Sequence, residues 1–230
     1  MASLVSIWNL ALSHLGNKAG LSSADEPYAT REAELCGQFW PIARQFAIIK
    51  CKPSWARRRQ SAGLLDLGDE QPTQWLYTYS KPANCLELIG LYGPEAILDE
   101  DRQPSRVETW TDGDDNYDVI YANTEDAVVR WLVDEEDTSK YHPAFTNGVS
   151  YLLAAYLAGP VIKGASGMQV SEALEKKAIS YLMLSETSDA NQGTATEVFR
   201  DGNHAAPWLK ARGYSELGFF PDAPVLNAPE

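Results

Sequence analysis

The chain has 230 residues, 44% of them hydrophobic and 22% charged, and a formal net charge of −13. This is the composition of a folded soluble protein able to bury a sizeable core, as one large domain or two small ones, and it excludes wholesale disorder. The acidic balance argues against a free-standing nucleic-acid binder, which needs a basic footprint. The longest apolar run, Val149 to Ala158, is about half of the roughly 20 residues that a membrane span needs. Met1-Ala2-Ser3-Leu4 shows no charged leader or cleavage site, so no secretory signal is expected. Cys36, Cys51 and Cys85 are an odd set without CxxC spacing and read as reduced, buried small hydrophobes.

In chain order, Leu4, Ile7, Trp8, Ala11, Leu12 and Leu15 recur at helical spacing, and Gly16-Asn17 closes this first helix. A second helix starts near Thr30 with a stripe of Ala33, Cys36, Phe39, Trp40, Ala43 and Ala47. Pro41 inside it removes a backbone donor, which predicts a kink or two shorter helices, ending near Cys51-Lys52-Pro53. Lys50, Lys52, Arg57, Arg58 and Arg59 follow as a basic run around Trp55. This run is a candidate phosphate-contacting surface, or else a solvated connector.

From Pro72 to Val133 the period falls to two. Trp75 to Leu91 reads as strand, turn (Lys81-Pro82-Ala83-Asn84) and strand; Arg106–Trp110, Tyr117–Ala122 and Ala127–Val133 supply further strands. Asp112-Gly113-Asp114-Asp115-Asn116 is a predicted hairpin turn, and about five strands imply a small, mostly antiparallel sheet or sandwich. Residues 95–137 hold fifteen carboxylates against only Arg102, Arg106 and Arg130, so nearly all the net charge sits here.

Helices then return. Pro143 suits a first helical position; Phe145, Val149, Leu152, Leu153 and Tyr156 form the buried stripe, and Gly159-Pro160 is the expected stop. Ala154, Ala155 and Ala158 make a small-residue face on which another helix can pack closely. The last helix opens at a capping-box spacing, Ser166-x-x-Gln169, and runs toward Asn191. Beyond Gly193 the periodicity fades, but Phe199, Trp208, Tyr214, Phe219 and Phe220 mark a docking arm rather than a solvated tail.

Catalytic patterns are weak. His14, His142 and His204 lie on different elements, and Gly164-Ala165-Ser166-Gly167 lacks nucleophile-elbow spacing. Asp112-x-Asp114-x-Asn116 starts like a calcium loop, but Tyr117 stands where glycine is needed and Asn123 where a bidentate glutamate is needed. No cofactor, metal or catalytic residue is assigned. A hydrolase using a carboxylate pair in the acidic segment stays as an alternative class.

Four stretches give a resemblance. Ile7-Trp8-Asn9-Leu10-Ala11-Leu12-Ser13-His14-Leu15-Gly16 resembles the opening "N-x-A-L-x-x-I-G" pattern, and Ala43-Arg44 with Pro53-Ser54-Trp55-Ala56 resembles "A-R…P-W-x-F-A" without its phenylalanine. Trp75-x-Tyr77-x-Tyr79-x-x-Pro82-x-x-Cys85-Leu86 is similar to "W-x-Y-x-Y-x-x-P-x-D-C-L", with Asn84 in place of the aspartate. Phe145, Leu152-Leu153-Ala154 and Leu157-Ala158-Gly159-Pro160 resemble "F…L-A…L-A-x-P". In this order the stretches resemble the tail tubular protein A family, the head-to-tail adaptors or gatekeepers of short-tailed bacteriophages.

The resemblance implies a non-enzymatic virion protein, made in the host cytoplasm and placed in the tail neck. It implies a homo-oligomeric ring, a dodecamer, joining the portal protein to the tail nozzle protein, with no membrane partner. Such a ring retains packaged viral DNA and conducts it on ejection. A head-completion connector of a long-tailed phage is the alternative within the structural class. Asp112, Asp114, Asp115 and Asp118 are then candidate channel-facing acids that let a duplex slide. The expected fold is α+β: a bundle of about four helices, with helices from 1–60 and 139–193, a β insertion at 61–138 and an extended arm at 194–230.

Overall fold

A computed structural model describes residues 3–17, 20–24, 30–68, 71–96, 101–112, 115–162 and 164–191. The chain divides into two units, Met1–Ser188 and Asp189–Glu230. The architecture of the first is α+β, with four α-helices and two antiparallel sheets among the described residues.

Helix α1 (Leu4–His14) starts at Ser3, whose hydroxyl accepts from the Ser6 amide, and buries Ile7, Trp8, Ala11 and Leu12. It ends as its sequence predicts. Gly16 takes a left-handed φ of +78°, and the Asn17 and Gly16 amides reach back to the Leu12 and Ser13 carbonyls. Helix α2 (Arg31–Cys51) is capped by Thr30 and runs unbroken through Pro41, so of the two expectations there, a kink or two shorter helices, the second does not occur. Pro41 lies on the exposed side and Gly37 is half-exposed, so water can reach the carbonyl that the proline leaves unpaired.

Strands β1 (Arg57–Ser61), β2 (Leu64–Leu65), β3 (Tyr77–Ser80), β4 (Cys85–Tyr92), β5 (Arg102–Gln103), β6 (Ser105–Asp112), β7 (Asp115–Ala122) and β8 (Val128–Val133) follow. Among the described residues they number eight, not about five, because the basic run and two short segments also pair. One sheet has the order β1-β8-β4-β5 and the other β2-β3-β7-β6. The turn at Lys81–Asn84 forms as predicted but does not make a hairpin. It carries the chain from β3 in one sheet to β4 in the other. Tyr79, Ile120 and Ala122 from one sheet meet Leu91, Val129 and Trp131 from the other in a shared core. The predicted acidic hairpin joins β6 to β7, with Asp112 opposite Asp115.

Helix α3 (Pro143–Ile162) opens at Pro143 but continues past Gly159-Pro160, the expected stop. It is thereby long and apolar enough to cross a membrane by length and composition, with 56% of its apolar window buried inside the protein. Helix α4 (Gly164–Ala190) begins two residues before the predicted cap, so Ser166 lies within it. Gly164 adopts φ +73°, a left-handed conformation that lets the chain reverse directly after α3.

The small-residue face of α3 is where α4 packs. A Cβ on Gly167 would stand 3.1 Å from the Ala158 carbonyl oxygen, and the Ser171 hydroxyl donates to the Ala155 carbonyl at 2.8 Å. Tyr151 and Tyr181 stack at 5.4 Å farther along. The main core joins these helices to α1 and α2 and takes Leu132 from β8.

Candidate assembly surface

The helices and sheets are tied together at the exit of β8. Arg44 of α2, 5% exposed, donates from Nε and Nη2 to the two oxygens of Asp134, each at 2.7 Å. The Gln45 amide adds a bond of 2.9 Å to Asp134, and Glu136 accepts from Arg44 at 2.9 Å. Burial raises the Asp134 pKa, but these donors outweigh it and hold the carboxyl below its usual range. Burial likewise works against the Arg44 charge, and Asp134 and Glu136 overcome it.

Residues from three of the sequence stretches converge beside this lock. Trp55 stacks on Tyr141 at 4.9 Å and meets Phe145 edge-on at 5.0 Å, while Trp8 and Leu12 enter the same core. These positions hold a fold together and present no reactive group.

The predicted basic run is more structured than a connector. Lys52 takes the left-handed α2 C-cap at φ 44° and pairs with Glu87 at 2.6 Å. Arg57 donates to the Lys52 carbonyl, Arg58 pairs with Glu135 at 2.7 Å, and Arg59 donates to the Ala96 carbonyl. Glu135 also takes Lys140 at 2.8 Å. Lys50 lies exposed at the end of α2. The three arginines line the edge strand β1, and their donors are already spent in part on the protein itself.

Of the candidate channel acids, Asp118 pairs with Lys81 at 2.8 Å and accepts from Thr109 at 3.0 Å, and these bonds lower its pKa. Asp115 is exposed on β7. Asp114 and the Asp112 side chain lie outside the described residues, as do Phe199, Trp208, Tyr214, Phe219, Phe220 and His204. Lys81, Pro82, Cys85 and Tyr117 help line a cleft of about 350 Å³. Burial raises the Cys85 thiol despite Lys81, and burial also pushes the Cys36 thiol up to about 12, so neither is a ready thiolate. No metal-holding cluster occurs among the described residues.

His14 ends α1, stacked on Tyr151 at 3.8 Å with Nε2 3.3 Å from the Ser150 hydroxyl. Burial, then Lys177, lowers its pKa. The His142 carbonyl accepts the first helical bond of α3 from Thr146.

The most conspicuous surface went unread in the sequence. Ile42, Phe46 and Ile49 on α2 are 55%, 42% and 39% exposed. With half-buried Leu35 and Phe39 they recur at alternating four- and three-residue steps along one face. That is the spacing of a helix-packing seam. Gln38, Pro41 and Gln45 flank it, and Arg44, the sole charged residue between Glu34 and Lys50, is buried. The signal was a second apolar stripe around a helix already assigned one core face. No protein-family model matches the chain, and no curated protein matches it.

Proposed function

We propose that the chain is a head-to-tail adaptor subunit of a short-tailed phage virion, similar to the tail tubular protein A family. It assembles as a ring between portal and tail nozzle, as a helical bundle carrying a β insertion and a C-terminal docking arm. The observation that carries this reading is the α2 seam of Ile42, Phe46 and Ile49, which the described residues leave about half exposed. A contiguous apolar face on a rigid helix is what a lasting protein contact requires. The convergence of Trp8, Trp55 and Phe145 in one core supports a common fold logic behind the resembling stretches. The acidic β6–β7 hairpin supplies a surface that repels phosphate and would let DNA slide through a ring lumen.

Mixing the purified protein with portal rings of its own virion, viewed by negative stain, tests the reading. A collar on the portal is the expected result, with Ile42→Glu/Phe46→Glu folded but absent from it. A chain that stays solitary beside the portal, or virions lacking it that remain filled and infectious, would overturn the proposal.

A further inference from the structure

Strand β6 closes one end of its sheet. From Ser105 opposite Ala122 to Asp112 opposite Asp115 its inner side is laddered to β7, and no described strand lies along its outer side. At eight residues it is the longest edge; β1 has five, and β2 and β5 two each. Long open edges template pairing with another chain unless charge, proline or cover blocks them.

The residues on this edge fit a second copy of themselves. Val107 lies opposite Ile120, on the row that faces the inter-sheet core. Ile120 is 0% exposed but Val107 is 43% exposed, so the core runs out at β6. Arg106 and Glu108 flank Val107 on the opposite face and pair with each other at 2.6 Å.

We propose that two copies pair through β6, antiparallel and two-fold about Val107. That register sets Arg106 opposite Glu108 of the second copy, Glu108 opposite Arg106, and Ser105 opposite Thr109. The two internal ion pairs thereby become an alternating quartet on one face, while the two Val107 side chains meet on the other. Pro104 lies just outside β6, so the paired segment ends at Ser105 opposite Thr109. A register shift by one residue would turn each charge onto the wrong face.

This inference stands apart from the adaptor reading. A two-fold contact closes on itself, whereas a cyclic ring needs two different surfaces in contact. The pair therefore belongs to the free chain, and lone-chain sedimentation can fail independently of portal binding.

Sedimentation velocity over a wide concentration series is the test, with thermal melts confirming that each variant folds. The wild-type chain is expected to dimerise reversibly. Arg106→Glu or Glu108→Arg alone should weaken the dimer about tenfold by setting like charges opposite each other, and the double reversal should restore it. Val107→Lys should abolish pairing without unfolding the monomer. A chain monomeric at every concentration, or a dimer indifferent to these charge reversals, would overturn the proposal.

Discussion

Asp134 carries an unusual share of the molecule's integrity for one side chain. It accepts from Arg44 twice and from Gln45 once, so β8 cannot leave α2 without stripping a buried guanidinium. Asp134→Ala is expected to cost about 2 kcal/mol in urea unfolding, below the range for a fully buried pair because Glu136 still reaches Arg44. Asp134 and Glu135 both have lowered pKa values in the folded chain. Their stabilisation is therefore complete above ordinary carboxylate values and is lost as the pH falls below them. His14 acts at milder acidity. Its lowered pKa means that the unfolded chain binds the proton first, so stability declines as the pH drops below 6.5. His14→Phe should flatten the melting temperature between neutral and mildly acid pH, which thermal scans at stepped pH would show.

At the scale of elements, α3 and α4 pack by backbone approach. A Cβ on Gly148 would stand 2.8 Å from Leu182 Cδ2 and 3.2 Å from the Leu182 amide nitrogen. Gly148→Val should destabilise the protein by about 2 kcal/mol, measured by chemical denaturation. The close face was legible beforehand, because alanines at 154, 155 and 158 announce a surface without bulk. Two helix starts were legible from a hydroxyl or a proline, at Thr30 and Pro143, whereas the hydroxyl at Ser166 lies inside α4. The stop expected at Gly159-Pro160 misled, and at Pro41 the division into two helices does not occur. Pro41 and Pro160 remove one hydrogen bond each, and neither ends its helix. Apart from the β6–β7 hairpin, marked by its turn residues, strand partners were not legible. Alternation tells a strand's faces, but the switch at Lys81–Asn84 between two sheets depends on which distant strand supplies the neighbour, β7 or β8. The α2 seam was missed for a related reason: Ile42, Phe46 and Ile49 look like core until the first stripe is seen to satisfy the core alone.

At the scale of the molecule, the surfaces separate into an apolar helix face, a basic edge strand and an acidic hairpin, each on a different element. Ile42→Glu/Phe46→Glu should lower the melting temperature only modestly, since both side chains are about half exposed, while removing any contact made through α2. Loss of folded protein on making that pair of changes would mean that the seam serves the chain's own core. The order of the elements also has a consequence for biosynthesis. The first two helices are complete by Cys51, yet α3, which buries them, begins only at Pro143. A ribosome therefore extrudes α1 and α2 with their greasy sides bare, and must deliver both sheets before relief arrives. Closure over so long an interval is slow, so the nascent chain is a natural client for holdase chaperones, and truncations ending before α3 should precipitate rather than accumulate.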